Sequence, residues 1–360
     1  MSCSARRAAL RALLHGAGVD ALLVTDLVNV RYLTGFTGSN AALLVHAGGD
    51  GASRFCTDGR YRTQAAAEVP DLETVIERAC AVELAKQAAA LGVERLGFES
   101  DTVSVDAHDA LTEAAGIPLV RAPGLVQRLR AVKDAGEVEA LRRACAVGDA
   151  ALAELLEAGG LRPGRTEREV ALDLENRMRA HGASAPAFET ILAAGPHSAV
   201  PHHRPTDTVL QRGDLVKLDF GALVDGYHSD MTRTVVLGSA ADWQRELHAL
   251  VAEAQAAGRA ALAPGAEVVA VDAAARGVVE RAGRGEEFVH GLGHGVGLQI
   301  HEAPYVGQTG TGALSAGMVV TVEPGVYVAG AGGVRIEDTV VVRDSGPELL
   351  THTTRELLEV

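Results

Sequence analysis

The sequence predicts an α/β amino-terminal domain followed by an α+β domain with an internal pseudo-twofold repeat. Three observations carry that reading. Helix and strand patterns alternate over about the first 120 residues, the pattern changes between 122 and 135, and the second half becomes strand-rich with one strand pattern written twice. Pro123-Gly124 and the charged stretch from Arg128 to Asp134 punctuate the change, which places the domains at 1–125 and 126–360.

In the first domain, residues 5–16 read as a helix, because Leu10, Leu13 and Leu14 fall at i, i+3 and i+4 on one face. Residues 21–24 and 41–45 read as buried strands. Helices follow at 81–91 and 105–115, with short strands near 96–98 and 118–120. The second domain opens with helices at 137–157 and 167–181. Asp225-Gly226 then lies between two strand-like runs and is a dipeptide suited to a two-residue hairpin turn. Helices at 242–259 and 267–282 precede the closing strands.

Composition narrows the function. The chain has 360 residues and is 47% apolar, so it can build two cores. A net charge of -14 argues against a phosphate-binding surface and hence against nucleic acid. Cys3, Cys56, Cys80 and Cys145 form no CxxC pair and fit no zinc finger, which points to a reducing compartment. The basic start carries no secretory h-region, since Arg11 and His15 interrupt its apolar run. No stretch reaches the ~18 apolar residues of a membrane helix. The expectation is a cytoplasmic protein with no membrane partner.

The repeat carries chemistry. Gly213-Asp-Leu-Val-Lys-Leu-Asp219-Phe-Gly221 and Gly317-Met-Val-Val-Thr-Val-Glu323-Pro-Gly325 both run from a glycine through a mostly apolar strand to an acid, one residue and a glycine. Downstream, Asp230-Met-Thr-Arg-Thr-Val-Val matches Glu337-Asp-Thr-Val-Val more loosely. The acids lie 11 apart in the first copy (230 minus 219) and 14 apart in the second (337 minus 323). The extra residues fall in the glycine-rich stretch 329–333, where added length costs little. Two such halves facing each other bring four carboxylates together. Buried alone, the four would repel one another or take up protons, and two divalent cations remove that conflict. An oxygen-dominated donor set suits manganese or a similar metal. A single acid would ordinarily be a solvated strand end; four in matched repeats read as a site.

Histidines supply the second signal, Phe288-Val-His290-Gly-Leu-Gly-His294-Gly-Val-Gly-Leu-Gln-Ile-His301. Gly293 and Gly295 flank His294 and let the backbone pass close to a ligand, so His294 is the candidate nitrogen donor. In a strand or hairpin, His301 would return to the same pocket. His202, in Pro201-His202-His203-Arg204 upstream of the first acidic strand, is a candidate for the same cleft. Other chemistries are missing. Val296 breaks a GxGxxG run, and the chain has no Walker A motif, no HExxH and no GxSxG elbow.

Asp219, Asp230 in Gly226-Tyr-His-Ser-Asp-Met-Thr-Arg-Thr, Gly-His294-Gly, Glu323-Pro-Gly and Arg335-Ile-Glu337-Asp together resemble the pita-bread-fold metallopeptidases (peptidase family M24) over about 126–355. Within that family, Asn29-Val-Arg-Tyr32-Leu-Thr-Gly35-Phe-Thr-Gly-Ser39 and Thr57-Asp58-Gly59-Arg60-Tyr61 resemble the creatinase-like amino-terminal domain of aminopeptidase P, a domain that prolidases largely share. The resemblance implies a pita-bread catalytic domain holding two divalent ions, most simply manganese, with cobalt or zinc as alternatives. By resemblance, Asp219 would chelate one metal, Asp230 and Glu337 would bridge both, and His294 and Glu323 would complete the other shell. A hydroxide between the metals would attack, and Glu323 would also handle its proton. His301 would donate to the scissile carbonyl oxygen, His202 would help hold the substrate, His290 would line the proline subsite, and Arg335 would orient the site.

The implied activity is that of an Xaa-Pro aminopeptidase acting on short peptides with proline second. A prolidase restricted to dipeptides is the alternative, and a non-catalytic peptide-binding member, which would lose ligand residues, is the third reading. Proline forms a tertiary amide with fixed φ and no N–H, so a dedicated pocket answers a donor that other peptidases use. The resemblance also implies a homodimer or homotetramer.

Overall fold

Ala21–Val24 and Ala41–His46, the apolar runs of the amino-terminal region, pair antiparallel at the centre of a six-stranded sheet in the computed structural model, which describes residues 1–360. The sheet order is Glu73–Ile76, Arg54–Thr57, Ala41–His46, Ala21–Val24, Leu96–Phe98 and Leu119–Arg121. Helices Cys80–Ala88 and Val105–Ala115 lay Leu84, Ala85, Ala88 and Leu111 on Leu23, Leu44 and Leu96. The helices expected at 5–16, 81–91 and 105–115 therefore form, the second ending in a 3₁₀ turn. Helix Leu27–Thr34, capped by the Asp26 carboxylate, lies where the apolar spacing gave no signal.

Two units result, 1–130 and 131–360. Pro123-Gly124 marks the start of helix Leu125–Ala131, and the division falls at the far end of that helix.

The second unit is built twice. In its first half, helices Ala135–Glu157 and Glu167–Ala180 place Leu152, Leu155, Val170, Leu174 and Met178 on Val216, Leu218 and Phe220 of strand Leu215–Phe220. In its second half, helices Asp242–Ala260 and Val268–Arg281 place Leu247, Val251, Val271 and Ala275 on Val320 and Val322 of strand Val319–Val322. Each acidic strand pairs antiparallel with the strand that follows the second acid: Leu215–Phe220 with Met231–Val236, and Val319–Val322 with Asp338–Val341. A hairpin fills each interval. It is Ala222–Val224 with Tyr227–His228 in the first copy and Gly325–Val328 with Gly332–Arg335 in the second. Asp225 and Gly226 both adopt positive φ, 52° and 82°, as the two-residue turn requires. No helix is long and apolar enough to cross a membrane.

Candidate metal centre

Side chains alternate faces along a strand. Val216, Leu218 and Phe220 point to the helix pair, so Lys217 and Asp219 belong to the opposite face. In the second copy Val320 and Val322 pack on their helices, and Thr321 and Glu323 share the other side. Asp230 and Glu337 immediately precede strands Met231–Val236 and Asp338–Val341. The Glu337 N–H donates to the Thr232 carbonyl at 3.1 Å, and the Thr232 hydroxyl donates to Glu337 Oε2 at 2.6 Å. These bonds join the two acid-bearing strands.

His294 arrives on the short strand Gly293–Gly295, which pairs with Glu302–Val306. His301 sits at the turn between them, and its ring packs edge-on to His294 at 4.4 Å between centroids. The flanking glycines have a different reason from the one expected. A Cβ on Gly293 would lie 2.1 Å from the Thr321 carbonyl oxygen, and one on Gly295 would lie 2.2 Å from that of Ala303. Neighbouring backbone, rather than a ligand, forbids a side chain at both positions.

All nine expected site residues line one cleft of about 860 Å³: His202, Asp219, Asp230, His290, His294, His301, Glu323, Arg335 and Glu337. Asp230, His294 and Glu337 have donor atoms within 4.8 Å of one another. His294 Nδ1 lies 3.0 Å from the Gly295 carbonyl oxygen, which fixes the proton on Nδ1. Nε2 then faces Asp230 Oδ2 at 3.5 Å and Glu323 Oε1 at 3.3 Å. A ring nitrogen this close to two carboxylate oxygens calls for a positive charge between them, a proton on Nε2 in the metal-free protein or a cation in its place.

The electrostatics agree. Burial, then the neighbouring Glu337 and Asp219, raises Asp230 well above the ordinary carboxylate range. Burial, Glu323 and Asp219 do the same to Glu337. Burial is the largest influence on Glu323 and would raise it, but the hydrogen bond and charge of His294, with the neighbouring His290 and Arg335, together outweigh that and bring it down to about 2. Asp219 Oδ1 is buried with no hydrogen-bond partner, although Oδ2 accepts from Arg335 Nη2. An orphaned carboxylate oxygen among acids forced towards protonation fits divalent cations, and Asp219, Asp230, His294, Glu323 and Glu337 are the residues that could hold them.

Several supporting residues escaped the sequence reading. Tyr327 OH lies 2.8 Å from both Arg335 Nη1 and His290 Nε2. Arg335 donates to it, so the phenol donates to His290, whose Nδ1 proton goes to the Gly291 carbonyl at 2.8 Å. His290 is thus a neutral imidazole, consistent with burial lowering its pKa. Arg335 also reaches Thr232 Oγ1 and the Pro201 carbonyl. Thr321 Oγ1 donates to Glu323 Oε1 and accepts from the His294 N–H. Two of these, Thr232 and Thr321, stand at alternate strand positions beside the acids, the only signal that could have found them.

Comparison with known proteins decides the family. Residues 139–344 match the profile of metallopeptidase family M24, and residues 6–132 match that of the creatinase/prolidase N-terminal domain. The chain belongs to metallopeptidase family M24. Among M24 relatives, it is 37% identical over 343 residues to a protein named Xaa-Pro dipeptidase from Pyrococcus furiosus, covering 94% of this chain and 95% of that one. A solved structure described as Xaa-Pro dipeptidase from Bacillus anthracis superimposes with a TM-score of 0.95 at 38% identity over 100% of both chains. One described as X-Pro aminopeptidase from Thermotoga maritima superimposes with a TM-score of 0.89 at 34% identity, covering 98% of this chain and 99% of that one. The M24 pita-bread fold with its creatinase-type N-terminal domain is thereby established.

Proposed function

We propose that this M24 member hydrolyses the peptide bond that precedes proline, that it acts on dipeptides, and that Asp219, Asp230, His294, Glu323 and Glu337 hold two divalent ions for the purpose. The observation that carries the metal assignment is the unpartnered, buried Oδ1 of Asp219 among acids that burial and mutual repulsion drive towards protonation. Manganese suits this oxygen-rich donor set. Divalent ions supply Lewis-acid charge and ionise water at neutral pH.

The side chains around them have separate work. Asp230 and Glu337, one from each half, would each give a carboxylate to the ions, and Glu323 would take the proton of the attacking water. His301, neutral because burial and then His294 lower its pKa, would donate an N–H to the carbonyl oxygen as it gains charge. His290 has both ring nitrogens committed, so it offers the substrate a ring face and not a polar edge. That surface suits the apolar proline ring. Four of the five Arg335 N–H groups are also committed, which gives Arg335 the task of orienting Asp219. His202 would hold the substrate from the cleft wall.

The dipeptide preference rests on the cleft rim. Arg204 pairs with Glu189 through Nε at 3.0 Å, and its side chain is 82% exposed. Its exposed guanidinium lines the cleft, where it would meet the free carboxylate of a dipeptide. The relatives named Xaa-Pro dipeptidase support the same reading. The aminopeptidase reading taken from the sequence is the second one, favoured by the likeness to the Thermotoga maritima protein.

The deciding experiment is hydrolysis of Ala-Pro, Ala-Pro-amide, Arg-Pro-Pro and Ala-Ala-Ala by metal-stripped protein with and without manganese. Manganese-dependent cleavage of Ala-Pro alone supports the dipeptidase. Release of arginine from Arg-Pro-Pro makes it an aminopeptidase, and no cleavage of any proline peptide defeats the proposal.

A further inference from the structure

The chain from 195 to 206 brings His202, His203 and Arg204 into the cleft wall, yet only its first five residues are helical, as a 3₁₀ turn, Gly195–Ala199. Such a segment needs external anchors to hold a side chain in place. Both of its ends converge on one carboxylate, that of Glu167, the first residue of helix Glu167–Ala180 and 0% exposed. Glu167 Oε1 accepts from the Ala194 N–H and from His197 Nδ1, each at 2.9 Å. Oε2 accepts from His203 Nε2 and the Thr206 N–H at 2.9 Å, and from Thr206 Oγ1 at 2.7 Å. The His197 and His203 rings stack at 4.2 Å. In between, Lys217 Nζ donates to the carbonyls of Ser198, Val200 and Pro201. His202 is therefore clasped between Pro201, held by Lys217, and His203, held by Glu167.

We infer that Glu167 is a positioning residue of the M24 site, tying both ends of the 195–206 segment so that His202 meets the substrate in a fixed place. The inference rests on the reading of His202 as a substrate contact. Glu167, His197 and His203 also have the composition of a metal site. Five donors already fill the roughly four lone-pair directions of the carboxylate, however, and a cation would have to displace them. Substituting Glu167 by glutamine would keep the volume but set an NH2 group against converging donors, freeing at least one end of the segment.

The test is a double-mutant cycle of Glu167→Gln and His202→Ala on a cleaved Xaa-Pro peptide, with bound manganese and zinc counted in each protein. Glu167→Gln is expected to raise KM about tenfold or more with kcat changed by less than about threefold, the mark of lost substrate positioning. In the His202→Ala background the same substitution should cost less than about twofold, because the residue it positions is gone. Should Glu167→Gln fail to fold, Thr206→Val removes one donor and is expected to show the same coupling at about threefold. Full additivity would overturn the inference and leave the role of His202 intact. Wild-type kinetics for His202→Ala alone would overturn both. Loss of one equivalent of bound metal in Glu167→Gln would make the cluster a metal site and overturn the inference from the other side.

Discussion

Arg335 donates to one carboxylate oxygen of Asp219 and leaves the other without a partner. The pair fixes which lone pairs of Asp219 face the cleft. Arg335→Lys would keep the charge and lose the planar fork that also grips Tyr327, Thr232 and Pro201. Divalent-ion affinity is expected to fall about 10- to 100-fold, the usual cost of losing a group that orients a ligand. Titration calorimetry on metal-stripped protein would read it, and unchanged affinity would remove the orienting role.

Glu337→Gln should move stability and function in opposite directions. Burial, Glu323 and Asp219 raise the Glu337 carboxyl well above its ordinary range in metal-free protein. A raised folded-state pKa contributes stability at low pH and loses it as pH climbs through that pKa. The metal-free variant should therefore be more stable than metal-free wild type by about 1–2 kcal/mol at pH 8. The gain should vanish near pH 4, and the variant should bind less metal and lack activity. Urea denaturation of both proteins at the two pH values checks the sign.

His301→Ala should retain both metals and lose rate. Its neutral ring lies against His294 and lines the cleft. Removing a donor aimed at developing negative charge typically costs about 10²–10³ in kcat. Metal content by elemental analysis, measured beside kcat, separates this from collapse of the site.

Outside the residues that line the cleft, His248 on helix Asp242–Ala260 is 6% exposed. Burial, then Arg233, pushes it down to about 4. A depressed histidine pKa contributes stability above the ordinary value and loses it as pH falls through the folded value. About 3 kcal/mol should thus disappear between about pH 6.5 and pH 4. His248→Gln should flatten that part of the stability profile, and an unchanged slope would place the acid sensitivity elsewhere.

The reach of the sequence ended where contacts stop being local. Asp219, Asp230, Glu323 and Glu337 were legible because strand ends carrying acids recur with matched glycines, and a buried acid cluster is costly unless it is functional. His294 and His301 stood out from a glycine-rich run whose strand or hairpin reading returns both to one pocket, and the pairing of Gly293–Gly295 with Glu302–Val306 forms that hairpin. Glu167 was invisible for a physical reason. With Thr166 before it and Glu169 after it, the sequence reads as a helix start, and Glu169 indeed closes a capping box. Only the return of the chain at Ala194 and again at Thr206 reveals that Glu167 has other partners. Lys217 was equally hidden, since a lysine in an apolar strand gives no sign of the three carbonyls that receive it.

The doubled build of the second unit has a mechanical consequence. Asp219 and Glu337 are separated by 118 positions (337 minus 219), and each half supplies only part of the donor set. An ion shared between them would act as a rivet, closing a chain loop of more than a hundred residues with a reversible bond. Loading and unloading the rivet would then set how long the halves stay shut against proteases. The lifetime of this peptidase in a digest would track the free divalent-ion concentration around it.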